Sequence, residues 1–284
     1  MRRDAQRRKH SGPRLPRMAA PPPIFAHLRH LAAAGPVVVA HRGDSRSAPE
    51  NTLRAFRAAA EAGAPMQEFD VRATRDGVLV CLHDATLDRT TDAATVLGPG
   101  ALVAQLDAAE LLPLDANRGS GQAREPVPTL AAALATILPS AVALVEHKAG
   151  SPDAYLAVVR GLAALPSCIL QSFDWSFLAA LRAAAPECAL AVLGPTEAHP
   201  ELDATAIAAA HELGAGMVHW AAESITAGQV QACHQHGLLV CTYTTDDEPG
   251  LQGLAALGVD ALCTNDPGFA LALQRRGGLR RGDR

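Results

Sequence analysis

His41, Arg42, Glu68, Asp70 and His83 lie within one stretch, Val37 to Thr91, and form a set able to act on a phosphate ester. Histidines move protons, an arginine supplies fixed positive charge, and paired carboxylates offer oxygen ligands to a hard cation. The stretch reads VVVAHRGDSRSAPENTLRAFRAAAEAGAPMQEFDVRATRDGVLVCLHDATLDRTT. Its apolar run Val37 to Ala40 ends at His41-Arg42-Gly43. A strand leaving the core there would hold both side chains where sites form in parallel α/β folds. Met66 to Val71 also reads as a strand, yet it carries Glu68 and Asp70. Residues two apart on a strand share a face, so both carboxylates point one way and Phe69 the other. Like charges that close raise a carboxylate pKa unless something positive lies between them, and a divalent cation meets that need most simply.

Local signals predict the elements that carry these groups. Pro49, Glu50, Asn51 and Thr52 open a helix, with Asn51 or Thr52 as its cap, Leu53, Phe56 and Ala60 as its apolar stripe and Gly63 as its end. Thr74-Arg75-Asp76-Gly77 predicts a hairpin turn, after which Val78 to Leu82 returns to deliver His83-Asp84. Further on, Leu144-Val145-Glu146-His147-Lys148 puts Glu146 and Lys148 on one strand face. If Glu146 faces the same way as Glu68 and Asp70, His147 points to the opposite side, and Glu146 completes a three-carboxylate set with them that suits Mg²⁺ or Ca²⁺.

HRG followed by APENTLRAF, then EFD, DGVLV, HD and LDRTT, in that order and spacing, resembles the glycerophosphodiester phosphodiesterase family. One HRG or HD is a weak signal; six ordered pieces in a βαβ-sized stretch are a specific one. The resemblance implies a TIM (β/α)8 barrel with a small insertion after the second strand region, at about residues 85–128. It implies metal-dependent hydrolysis of glycerophosphodiesters to glycerol 3-phosphate and an alcohol. His41 and His83 would share acid and base work, with the glycerol 2-hydroxyl as one candidate attacking group. Glu146 and Lys148 match a family glutamate that binds metal and its nearby lysine, and Arg42 and Lys148 would clamp the phosphate. His147 departs from the aliphatic residue usual between them. At the seventh barrel strand, Tyr243 or Thr244 stands where many members carry a pocket tryptophan, and Trp220 is either a wall of the glycerol side or a core residue. Two other readings stay open: a lysophospholipase D acting on acylated substrates, and a phosphate- or metal-binding barrel without turnover.

The rest of the chain must hold this set in place. From Thr129 onward helix and strand patterns alternate with short connections, ending in a helix to about Arg276, and eight units favour a closed barrel over an open sheet. Periodicity does not close the ring; the resemblance supplies that step. A chain of 284 residues with 49% hydrophobic content is long enough for one such barrel, which takes about 250 residues. The expected organisation is a basic, proline-rich, disordered tail over residues 1–23, a barrel over 24–276 with Ile24 to Ala34 as a helix across its floor, and a flexible basic tail over 277–284. Met18 is an alternative start. Within the insertion, Ala108 to Leu112 suggests a short helix, and Arg89 and Arg118 read as solvated side chains or as substrate contacts.

Composition narrows the function classes. A net charge of −4 gives no general case for nucleic acid or anionic membranes. The six cysteines, Cys81, Cys168, Cys188, Cys233, Cys241 and Cys263, lack the spacing of a zinc site or disulfide framework and read as buried thiols. No apolar run follows the N-terminal arginines, so neither a cleaved signal nor stable membrane insertion is expected. The expectation is a cytoplasmic enzyme with a small-molecule glycerophosphodiester partner.

Overall fold

The computed structural model describes residues 22–117, 121 and 123–280. Most of the expected N-terminal tail, Arg118, and the last four residues of the expected C-terminal tail lie outside the described residues.

Among the described residues nine strands form one sheet: β1 (Val37–His41), β2 (Met66–Ala73), β3 (Leu79–Cys81), β4 (Val142–His147), β5 (Cys168–Ser172), β6 (Ala189–Gly194), β7 (Met217–Ala221), β8 (Leu239–Tyr243) and β9 (Ala261–Thr264). All except β3 run parallel to their neighbours, and β1 pairs with both β2 and β9, so eight strands close into a ring. β3 lies outside it as the return arm of the expected hairpin, antiparallel to β2. Gly77, at φ +83°, makes the turn, a backbone setting that glycine reaches at no steric cost.

Side-chain parity divides the core in two. Val37 and Val39, Met66, Val142 and Leu144, Ile169, Ala189 and Ala191, Met217, Leu239 and Cys241, and Ala261 and Cys263 fill the barrel interior. Their outward neighbours, among them Val38, Phe69, Val145, Leu170, Val192, Val218 and Val240, pack against the helices. Both faces of a barrel strand are buried, which is why these strands read as continuous apolar runs rather than as alternation. The helix Pro23–Ala32 closes the floor, as expected, by turning Ile24, Phe25, Leu28 and Ala32 into the interior layer.

The eight helices that follow the parallel strands on the way round start at side-chain caps: Thr52, Thr129, Ser151, Asp174, Asp203, Thr226, Asp247 and Asp266 each accept a backbone N–H of the first turn. Each such cap contributes about 1 kcal/mol and fixes where the strand-to-helix loop ends. Those loops, with the strands that lead into them, carry the site. Gly63, at φ +89°, ends the first of these helices as the sequence implies. The insertion has its own small core, in which Leu87, Ala93, Val103, Leu111, Leu114 and Val127 pack on Val80 and Leu82 of the hairpin. The short helix expected there spans Ala108–Leu111.

Candidate active site

The parallel register places the polar residues at one end of the barrel. His41 is the partner of Glu68 across β1 and β2, and Asp70 is the partner of Glu146 across β2 and β4. Phe69 faces outward onto Phe56, with ring centroids 5.3 Å apart, so Glu68 and Asp70 both face in. Glu68, Asp70 and Glu146 each bring an oxygen within 4.8 Å of the others, and all three are buried.

Two cations face these three carboxylates. Arg42 Nε lies 3.1 Å from Asp70 Oδ2, Lys148 Nζ lies 3.3 Å from Asp70 Oδ1, and Lys148 also pairs with Glu146. Glu146 is therefore both a salt-bridge partner and a member of the carboxylate set. Burial, then repulsion from Asp70 and Glu146, holds the Glu68 carboxyl well above the usual range, and burial and Asp70 push Glu146 up to about 7. Asp70 goes the other way: against the cost of burial, Arg42 and Lys148 hold it low. With all three ionised, the carboxylates outnumber the two facing cations by one. Three converging hard oxygens with that deficit fit a divalent cation.

The turn after β1 is held in an unusual backbone. Arg42 sits at φ +59° and Gly43 at φ +81°. At Gly43 a Cβ would meet the Ala55 backbone at 2.6 Å, so glycine is required for space as well as for φ. Arg42, held left-handed at a cost of about 1 kcal/mol, donates its N–H to Glu68 Oε2 at 3.2 Å and Nη1 to Glu50 Oε1 at 2.8 Å.

Each histidine is oriented through Nδ1. His41 Nδ1 lies 2.7 Å from Asn265 Oδ1. The Asn265 amide cannot turn over, because Nδ2 donates to Asp246 Oδ2 at 2.7 Å while its backbone N–H donates to Asp246 Oδ1. Nδ1 of His41 is thus the protonated nitrogen, and Nε2, 4.0 Å from Glu68 Oε2, keeps its lone pair. Burial, followed by Arg42, lowers the pKa of His41 and keeps the ring neutral. His83 follows β3, with its carbonyl tied to Arg72 Nε at 2.8 Å, and its Nδ1 bonds Asp84 Oδ1 at 2.6 Å.

The sequence model of the Glycerophosphoryl diester phosphodiesterase family matches residues 41–269. The chain belongs to that family. A glycerophosphodiester phosphodiesterase of Caldanaerobacter subterraneus is 30% identical over 258 residues, covering 85% of this chain and 99% of its own. Among solved structures, an Oleispira antarctica phosphodiesterase in complex with the product sn-glycerol-3-phosphate superposes with a TM-score of 0.74 at 26% identity, covering 84% of this chain and 97% of its own. A glycerophosphodiester phosphodiesterase from Agrobacterium tumefaciens gives 0.71 at 28% identity, covering 83% and 99%. Membership fixes the enzyme class, a phosphodiesterase that hydrolyses glycerophosphodiesters, and agrees with the closed barrel.

Within this glycerophosphodiester phosphodiesterase frame, the structure brings His41, Arg42, Glu68, Asp70, Glu146 and Lys148 into one cluster, with His83 close enough for its charge to act on Asp70. Tyr243 turns inward, its ring edge-on to His219 and 5.1 Å away, and its hydroxyl donates to the Gly194 carbonyl at 2.8 Å. Trp220 is not a wall of the pocket. It is 0% exposed and packs in the outer layer, because Met217 faces the interior and strand parity then sends His219 in and Trp220 out. Its ring lies over Gly194, where a Cβ would come within 2.1 Å of it. Gly194→Ala is expected to destabilise the enzyme by about 2–3 kcal/mol through overpacking, read as a lowered Tm in thermal unfolding. An unchanged Tm would mean that Trp220 does not hold this seat.

Other residues at the site were given no site role from sequence. Asn51, at φ +58°, donates Nδ2 to Asp70 Oδ2 at 2.9 Å and accepts the Asp70 N–H on Oδ1, so it orients that carboxylate while Thr52 caps the helix. Inside the barrel, His219 Nδ1 bonds Gln171 Oε1 at 2.9 Å, and Gln171 Nε2 reaches towards Glu68 Oε1 at 3.5 Å. Phe173, 38% exposed, stands edge-on to Tyr243 with Lys148 Nζ 5.6 Å from its ring centre. The asparagine φ is the one local signal, in a turn that few other residues tolerate.

Proposed function

We propose that this family member cleaves glycerophosphodiesters by a cation-assisted mechanism with two histidines, releasing glycerol 3-phosphate and an alcohol. The observation that carries the reading is the convergence of three buried carboxylates beside His41, Arg42 and Lys148. A divalent cation, Mg²⁺ or Ca²⁺, held by Glu68, Asp70 and Glu146 would supply the missing positive charge to a phosphate oxygen. Arg42 and Lys148 bind and orient the remaining phosphate oxygens. His41, kept neutral with Nε2 unprotonated, takes the proton of the attacking group, either water or the glycerol 2-hydroxyl; in the second case water then opens the cyclic phosphate to glycerol 3-phosphate. His83 donates a proton to the departing alkoxide, and the Asp84 carboxylate on Nδ1 balances the charge its ring carries while doubly protonated. Phe173 and Tyr243 give the alcohol an aromatic wall.

Support for the cytoplasmic assignment is that all six cysteines are free and buried. Among the described residues no helix is long and apolar enough to cross a membrane.

The test is glycerol 3-phosphate release from glycerophosphocholine, glycerophosphoethanolamine and glycerophosphoglycerol in Mg²⁺, in Ca²⁺ and in chelator, beside Glu68→Ala. Release that requires both a cation and Glu68 is expected, and the rates rank cations and head groups together. Equal release in chelator would sink the cation role; release only from lysophospholipids would replace the substrate.

A further inference from the structure

Arg89 belongs to the insertion, and its guanidinium meets carboxylates outside the cation set. Nη1 and Nη2 bond Glu50 Oε2 and Oε1 at 2.8 and 2.9 Å, and Nε bonds Asp84 Oδ2 at 2.5 Å. Both acceptors are shared. Glu50 Oε1 also takes Arg42 Nη1 at 2.8 Å, and Asp84 Oδ1 also takes His83 Nδ1 at 2.6 Å. One continuous chain therefore runs His83–Asp84–Arg89–Glu50–Arg42, from the ring assigned to proton transfer to the guanidinium assigned to the phosphate.

The backbone that presents Arg89 is fixed. Leu87 and Thr91 on either side are 0% exposed, and Thr91 bonds the Leu87 carbonyl through both its N–H and its hydroxyl, at 3.1 and 2.7 Å. The side chain itself is half-exposed, at 46%. A bidentate pair within a charge network adds some stability, which Tm reads separately from kcat. A planar fork that grips one carboxylate with two nitrogens and a second with the third does define geometry, and lysine has no equivalent.

We infer that Arg89 is a positioning residue for both halves of the active site, holding Asp84 against His83 and Glu50 against Arg42. The inference rests on the roles given above to those two residues, and it ties catalysis to correct seating of the insertion.

The experiment is steady-state hydrolysis of glycerophosphocholine, with the activating cation, by Arg89→Ala and Arg89→Lys. For Arg89→Ala kcat falls by about 10–100-fold, the usual loss for an outer partner of a catalytic group, KM rises, and Tm stays within a few degrees. Added methylguanidinium restores part of kcat because the vacated site is open to solvent; methylammonium does not, and Arg89→Lys stays impaired. In a His83→Ala background Arg89→Ala lowers kcat no further, whereas in a Glu50→Gln background it no longer raises KM. Full activity of Arg89→Ala, or an undiminished loss of kcat in the His83→Ala background, would overturn the inference. If His83→Ala alone keeps full turnover, the two-histidine reading fails first, and the KM effect through Glu50 decides for or against Arg89.

Discussion

With a glycerophosphodiester whose alcohol is 4-nitrophenol, His83→Ala turns over at close to the rate of the unaltered enzyme, while His41→Ala is slowed by about 10²–10⁴-fold on this substrate and on glycerophosphocholine alike. Nitrophenolate leaves without a proton, so an enzyme lacking only its general acid loses nothing by the exchange. An enzyme lacking its base still has to activate the attacking hydroxyl, and an easier leaving group does not help that. The proposed division of labour rests on the partners of Nδ1. His41 bonds a neutral amide oxygen, and burial together with Arg42 keeps its ring unprotonated. His83 bonds a carboxylate that the Arg89 hydrogen bond, ahead of the one from His83 itself, holds ionised far into acid. Steady-state kcat for both variants on both substrates, with cation saturating, is the measurement. Rescue of His41→Ala instead of His83→Ala would exchange the two roles, and rescue of neither would remove proton donation from the slow step.

Much of this site is legible in the sequence because strand parity is a rigid rule. Glu68 and Asp70 two apart, with Phe69 between them, can only face together, and the structure has them so. The hairpin, the Thr52 cap and the Gly63 end were legible because the deciding residue is local to each. His219 and Trp220 show where the rule runs out. Parity needs an anchor, and in a strand buried on both faces apolar residues point both ways, so MVHWA does not say which face is inward. Ring closure is a pairing of β1 with β9, some two hundred residues apart, and no periodicity within either strand encodes it. The same holds for the amides that reach the site side chains. Asn265 is 224 residues from His41, and Gln171 is 103 residues from Glu68. Arg89 is a different case: an arginine in the insertion reads as solvated or as a substrate contact, and only the fold shows that Glu50 and Asp84 meet on either side of it.

The carboxylate set also makes the enzyme's stability depend on pH in a direction that the cation reverses. Glu146 is raised from 4.5 to about 7, first by burial and then by Asp70, and Glu68 is raised as well. A carboxyl with a folded pKa above its unfolded value stabilises the fold while protonated, and that contribution is lost as pH rises through the folded value. Without a cation, Glu146 therefore costs stability progressively between about pH 5 and pH 8. Buried His41 and His219 have lowered pKa values and act in the opposite sense as pH falls, so the informative quantity is the difference between the parent enzyme and Glu146→Gln. Asp70 is lowered and titrates in stronger acid, outside this window. In chelator, Glu146→Gln and the parent melt together near pH 5, and by pH 8 the variant is the more stable by on the order of 2–3 kcal/mol, or roughly 5–10 °C in Tm. In saturating Mg²⁺ or Ca²⁺ the order is expected to invert at pH 8, because the ionised carboxylate that destabilises the metal-free fold is the one proposed to hold the cation. Thermal unfolding of both proteins at the two pH values, with chelator and with cation, tests this. Parallel pH curves in chelator would mean that Glu146 is already neutralised by Lys148, and a cation that stabilises both proteins equally would place the ion elsewhere.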